Sequence, residues 1–280
     1  MKIAILGANG MLGQDLLAAC GSRGIECSAH DLPGTDITRE GGLDALPKCD
    51  RVVDCAAYTD VDGAESDPAA AMAVNRDGTA RVAAWCAERN VPLLYVSTDY
   101  VFDGTAGRPY TEEDDTAPLN AYGESKLAGE RAVTAVCKQR LIVRTQSLFG
   151  IHGLNFVKVI MARLEEPAPS LRVVNDQTSS PTYTVHLADA ILRLLDSGAQ
   201  GIVNVSATGE ATWHEFACRI VAAVRPGAEV VPVPSIDYPR PARRPACSIL
   251  DKTRYEELTG HRMPSWEAGL EEYLAECVGV

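Results

Sequence analysis

The sequence predicts an α/β fold: a parallel sheet covered by helices on both faces. Two observations carry this. Short apolar runs alternate with helix-like segments through the first half of the chain, and that alternation makes parallel strands joined by crossover helices. The strand-like runs are also apolar throughout, not at every second position, which is the pattern of strands buried on both sides.

In order, Lys2 to Leu6 is a first strand, stopped by Gly7. From Met11 to Cys20 the apolar residues Met11, Leu12, Leu16, Leu17 and Cys20 share one side of a helix. Gly21 and Gly24 then punctuate, and Ile25 to Leu32 is a second strand. Arg51 to Ala57 is a third, and Asp67 to Arg89, rich in Ala, reads as a single long helix. Val91 to Ser97 is the fourth strand. Asp103 to Asn120, full of Gly, Pro, Thr and acids, is a loop. Ala121 to Gln139 is helical and Arg140 to Thr145 is a further strand. Right-handed crossovers between such strands give a doubly wound order.

After Gly150 the pattern changes. Helices are expected over Phe156–Leu164, Thr184–Leu195, Thr212–Val224 and Ser265–Cys277, with strands from Leu171 and Gly201. Val231 to Pro245 holds Pro232, Pro234, Pro239, Pro241 and Pro245, so it runs extended and cannot be helical. The expected division is a nucleotide-binding domain over residues 1–150 and a smaller substrate-binding lobe over 151–280, with segments interleaved.

Composition narrows the function classes. The 280 residues carry 26 Lys and Arg against 38 Asp and Glu, a net charge of −12. That balance argues against nucleic acid as a partner. The nine cysteines are scattered with no C-x-x-C pair, and His30, His152, His186, His214 and His261 show no ligand spacing. Neither a disulfide framework nor a metal site is expected. The apolar N-terminal run breaks at Gly7, too short for a signal segment, and no later stretch is long enough to span a bilayer. The expectation is a cytoplasmic protein with no membrane partner.

Gly7, Gly10 and Gly13 lie between the first strand and the first helix as G-x-x-G-x-x-G. The first permits a tight turn, the second lets backbone approach a pyrophosphate, and the third lets helix and strand pack closely. The helix N-terminus offers unpaired amides to the phosphates. In this context the fold is Rossmann-type and the ligand a dinucleotide. Asp31, closing the second strand, can accept the ribose hydroxyls of the adenosine and would repel a 2′-phosphate; Arg23 or His30 nearby would admit one. The cofactor is thus NADH or NADPH.

Tyr122 and Lys126 stand four apart on a helix and share a face. A tyrosine near pKa 10 is a poor acid at neutral pH, and an adjacent ammonium would lower it. Thr98, at the carboxyl end of the fourth strand, can hydrogen-bond a substrate carbonyl.

These motifs in this order resemble the extended short-chain dehydrogenases/reductases. The strings DCAAYTDVDGAE from Asp54, STDYVFDG from Ser97, LNAYGESKLAGE from Leu119 and VVNDQTSSPTYTVHLAD from Val173 are similar to the dTDP-4-dehydrorhamnose reductase family over almost the whole chain. The resemblance implies hydride transfer from NADPH or NADH to the 4-keto group of dTDP-6-deoxy-L-lyxo-4-hexulose, a nucleotide-sugar substrate, giving dTDP-L-rhamnose. It implies Tyr122 as proton donor, Lys126 as its partner and Thr98 at the carbonyl. Gly10, Met11 and Leu12 would hold the pyrophosphate, Asp36 and Ile37 would meet the adenine, and Ala56, Ala57 and Tyr58 would line the cofactor. Thr98 and Asp99 would meet the sugar. A homodimer is compatible with such a fold.

One departure stands out. After RLIVRT the family usually reads Ser-Trp, and this chain has Gln146 and Ser147. The aromatic platform for the sugar is missing, Ser147 takes its place as candidate sugar contact, and the exact 4-keto sugar is left open. A nucleotide-sugar epimerase or dehydratase of the same superfamily, and a non-enzymatic regulatory relative, are the competing readings.

Overall fold

The computed structural model describes residues 1–167 and 169–278. Its strands are β1 (Lys2–Leu6), β2 (Glu26–His30), β3 (Arg51–Asp54), β4 (Leu93–Thr98), β5 (Arg140–Thr145), β6 (Leu148–Phe149), β7 (Ser170–Val174), β8 (Thr178–Ser179), β9 (Thr182–Tyr183), β10 (Gly201–Asn204), β11 (Ala211–Thr212) and β12 (Glu229–Val233). Its α-helices are α1 (Met11–Ser22), α2 (Val61–Ser66), α3 (Pro68–Met72), α4 (Thr79–Glu88), α5 (Ala121–Val136), α6 (Phe156–Leu164), α7 (Thr184–Ser197), α8 (Trp213–Val224), α9 (Thr253–Thr259) and α10 (Trp266–Val278).

The main sheet has six parallel strands in the order β10-β5-β4-β3-β1-β2. The order reverses between β1 and β3–β4, as a doubly wound fold requires. Successive side chains on a strand face opposite ways, and both faces here are dry. Ile3 and Ile5 pack with Leu16 of α1 and Ile191 of α7, while Ala4 and Leu6 pack with Val82 of α4 and Val133 of α5. This double burial is why β1 is apolar from Ile3 to Leu6, whereas the edge strand β2, Glu26–His30, is more polar and partly exposed.

β10 and α7 return from the second half of the chain to the first sheet, β10 beside β5 and α7 against α1. The remaining lobe has its own core around Phe149, Phe216, Trp266 and Tyr273, a parallel β7–β12 pair, and α8 opened by a Thr212/Glu215 capping box. In the proline-rich segment only Ser235–Asp237 makes a single 3-10 turn.

The expected long helix over Asp67–Arg89 runs unbroken from Pro68 to Glu88, with a π-helical segment inside it. Asp67 caps Ala70 N with Pro68 in the first turn, starting α3. A π-helical segment, Ala73–Gly78, then joins α3 to α4. Within it lies Asn75, a buried residue whose side-chain amide is bonded to neighbouring elements. It accepts from Tyr58 N (2.8 Å) and donates to Tyr58 O (3.0 Å) and Ser125 Oγ (2.9 Å). Such bulges recur at functional sites.

A strap from the proline-rich segment crosses back to the first lobe. Asp62 on α2 accepts from Arg240 Nε (2.9 Å), Arg244 Nη1 (3.1 Å) and Ala242 N (3.1 Å). Asn120 Nδ2 donates to Arg243 O at 2.8 Å.

Candidate active site

The glycine loop is shaped for close approach. Gly7 has φ +71°, and a Cβ there would lie 2.6 Å from Ala56 N. A Cβ on Gly13 would strike Gly7 O and come within 2.7 Å of Ala8 Cα. Gly10 is the N-cap of α1 and no side chain caps that helix, so the first-turn amides of Met11 and Leu12 are open to a phosphate. A cradle that any Cβ would fill, ending in uncapped amides, fits a dinucleotide pyrophosphate.

Asp31 lies beside this loop and accepts from Asn9 N (2.8 Å) and Leu32 N (2.7 Å). It ties the end of β2 to the turn. Asp36 is turned onto its own loop, accepting from Thr38 N (2.9 Å) and Thr38 Oγ1 (2.6 Å) and pairing with Arg39 (3.0 Å). Ile37 is buried in the core under Gly78, so its side chain is structural and its backbone is what a base could reach. Ala56, Ala57 and Tyr58 follow β3 directly opposite Gly7, with Tyr58 pinned by Asn75.

Thr98 ends β4. Its hydroxyl donates to Asp99 Oδ1 (3.1 Å) and accepts from Tyr100 N (3.2 Å). Tyr122, in the first turn of α5, packs edge-on against Tyr100 with centroids 5.9 Å apart. Burial pushes the Tyr122 phenol up to about 12; the facing Thr98 hydroxyl opposes this and Asp99 adds to it. Thr98 and Tyr122 are therefore brought together, as the family resemblance implies.

Lys126 is placed differently from the expectation. It is buried, its Nζ donates to Val96 O at 2.7 Å, and it lies over the Tyr95 ring at 4.1 Å. A buried ammonium needs donors satisfied, and a strand-end carbonyl and an aromatic face supply that. The expected acidification of the phenol by this ammonium is thus not in place: burial dominates Tyr122.

Asp99 faces inward. It is buried, Ser248 Oγ donates to it, and burial raises its carboxyl to about 7. It holds Thr98 from behind. Gln146 is 2% exposed. In the orientation that satisfies both amide ends it donates to Ser248 O (2.7 Å) and accepts from Ser180 N (3.2 Å) and Ser206 Oγ (3.2 Å). Ser147 adopts φ +48° and meets Ser179 Oγ at 2.8 Å.

Sequence reasoning misses three parts of this site. Asn75 could be suspected only as a lone amide in an Ala-rich helix. Glu130 follows Lys126 by one helical turn and is bound by Arg144 Nε (2.9 Å) and Nη2 (2.7 Å) and by Ser97 Oγ (2.6 Å), all buried. Asp54, at the end of an apolar strand, is wholly buried.

The comparisons agree with this geometry. The sequence profile described as RmlD substrate binding domain matches residues 1–278. A dTDP-4-keto-6-deoxy-D-glucose reductase of Streptomyces niveus is 39% identical over 95% of this chain and 94% of its own length. A dTDP-4-dehydrorhamnose reductase of Mycobacterium tuberculosis is 40% identical over 98% and 92%. The solved dTDP-4-dehydrorhamnose reductase of Bacillus anthracis, in complex with NADP, superimposes with a TM-score of 0.93 at 36% identity, covering 98% of this chain and 99% of that one. With the profile spanning residues 1–278 and relatives about 40% identical over nearly the whole chain, the chain belongs to the RmlD substrate-binding-domain family of dTDP-4-dehydrorhamnose reductases.

Proposed function

We propose that the protein is an NADPH- or NADH-dependent oxidoreductase that reduces the 4-keto group of dTDP-6-deoxy-L-lyxo-4-hexulose to give dTDP-L-rhamnose. A reduced nicotinamide, when bound, would supply the hydride for C4. The residues of this chain do the rest. The glycine cradle and the first turn of α1 hold the pyrophosphate, and Thr98 orients the ketone oxygen. Tyr122 gives its proton to that oxygen and is re-protonated from solvent. A phenol held near 12 by burial is fully protonated at neutral pH, which is the state a reduction requires at its start. Lys126 anchors the nicotinamide ribose below it.

The pairing of Tyr122 with Thr98 at the end of β4 is the observation that carries this reading. The replacement of the family's Ser-Trp by Gln146 and Ser147 favours one second reading, in which dTDP-4-keto-6-deoxy-D-glucose is the sugar reduced, as named for the Streptomyces niveus relative. No helix among the described residues is long and apolar enough to cross a membrane, and the proposed setting is a cytoplasmic homodimer.

NAD(P)H oxidation should be measured with both 4-keto sugars and both cofactors. Tyr122→Phe should lower kcat by about 10²–10⁴-fold and leave NADPH affinity unchanged. Near-normal turnover by that variant would refute the assignment.

A further inference from the structure

We infer that Asp54 is a positioning residue for this reaction, its carboxylate serving as the counter-charge of the buried Lys126 ammonium. The inference rests on the reading of Tyr122 and Lys126 as the reductase pair. Asp54 ends β3 and is the register partner of Tyr95 on β4, so both side chains leave the sheet on one face. Lys126 Nζ lies over that same Tyr95 ring at 4.1 Å. Asp54 is 0% exposed; one oxygen accepts from Ala56 N at 3.1 Å and the other has no hydrogen-bond partner. A buried carboxylate with an idle oxygen is costly unless a cation stands near.

The charges around this point sort into two pairs. Glu130 is gripped by Arg144 through two bonds and takes the Ser97 hydroxyl as well, so those two charges cancel by contact. Lys126, bonded to Val96 O rather than to a carboxylate, is left with Asp54. The other groups facing it are the Cys55 thiol beside Asp54, the Tyr95 ring on β4 and Glu130 on its own helix. Burial lowers the Lys126 ammonium, and Asp54 is the foremost group raising it again, ahead of Glu130 and Cys55. Reciprocally, burial raises the Asp54 carboxyl and Lys126 brings it down. Each group favours the charged form of the other against the cost of burial, and no hydrogen bond joins them. The nicotinamide ribose would enter beside a lysine whose charge is held from beneath.

Asp54→Asn keeps the shape and the acceptor for Ala56 N while removing the charge. The alkaline limb of NADPH binding, followed by nucleotide fluorescence, and that of kcat/KM should both move to lower pH by about one unit. In a Lys126→Arg background the same change should move neither, because a guanidinium does not titrate in that range. Unmoved limbs in Asp54→Asn, with only a fall in Tm, would overturn the proposal. Should Asp54→Asn fail to fold, adding Lys126→Met should restore folding by removing the pair together; a double variant no more stable than the single one also overturns it. If the wild-type protein reduces neither 4-keto sugar, the reductase reading fails while the NADPH-binding profile still decides the role of Asp54.

Discussion

The glycine loop and the buried polar cluster around Gln146 are built by different means. The glycine loop is made of backbone: three glycines, a helix end without a cap, and the turn after β3 pressed against Gly7. The cluster, joined to Asp99 through Ser248, is made of buried side chains from distant stretches. Gln146 follows β5, Ser180 lies between β8 and β9, Ser206 follows β10, and Ser248 belongs to the strap. A backbone site depends on small residues at fixed spacing. A side-chain site depends on where several loops converge. The first tolerates almost no added atom, and the second should tolerate loss of one member at a graded cost.

Gly13→Ala is the sharpest way to test the backbone site. The new Cβ would run into Gly7 O and within 2.7 Å of Ala8 Cα, and backbone cannot yield as a flexible side chain can. Overpacking of this kind costs about 1–3 kcal/mol. NADPH affinity should fall about tenfold or more, read by fluorescence titration. Undiminished binding would mean that the cradle is not the pyrophosphate site.

Gln146→Ala addresses the side-chain site. It strips the partner from Ser248 O and Ser180 N, and buried groups left unpaired cost about 1–3 kcal/mol each at most. The expected result is a lower Tm and a raised KM for the sugar, with the NADPH Kd unmoved. A change in cofactor affinity equal to that in KM would erase the distinction between the two sites.

Asp62→Asn, which loosens the strap, should have the smallest effect, about 1–2 kcal/mol, because Arg240 is half exposed and solvent screens it. The two guanidiniums and Ala242 N outweigh burial and hold the Asp62 carboxyl down at about 2, from an ordinary value of 3.8. Its stabilising contribution is therefore complete above about pH 4 and lost as the pH falls toward 2. Thermal unfolding followed across that window should be less steep in the variant than in the wild type.

The same contrast separates what the residues disclose from what they conceal. β1, β5 and α6 lie where apolar runs and periodicity place them, and the glycine loop is read from spacing because each glycine answers a local steric demand. The long helix expected over Asp67–Arg89 runs from Pro68 to Glu88, but it carries a π-helical segment where Asn75 reaches across to Tyr58 and Ser125, a detail that no local pattern reveals. Lys126 shares a helix face with Tyr122, yet its ammonium goes to Val96 O and the Tyr95 ring, since the sheet end offers better solvation to a buried cation than a neutral phenol does.

The order of residues along the chain thus determined the alternating strands and helices of the doubly wound sheet and the shape of the glycine loop, which depend on patterning and on steric demands among near neighbours. The pairing of buried charges was decided only when the chain closed. Glu130 met Arg144, Asp54 was left to Lys126, and Gln146 was surrounded by serines from three loops. Coulomb attraction and hydrogen bonding act across space, and which groups meet there depends on strand order and helix packing rather than on distance along the sequence.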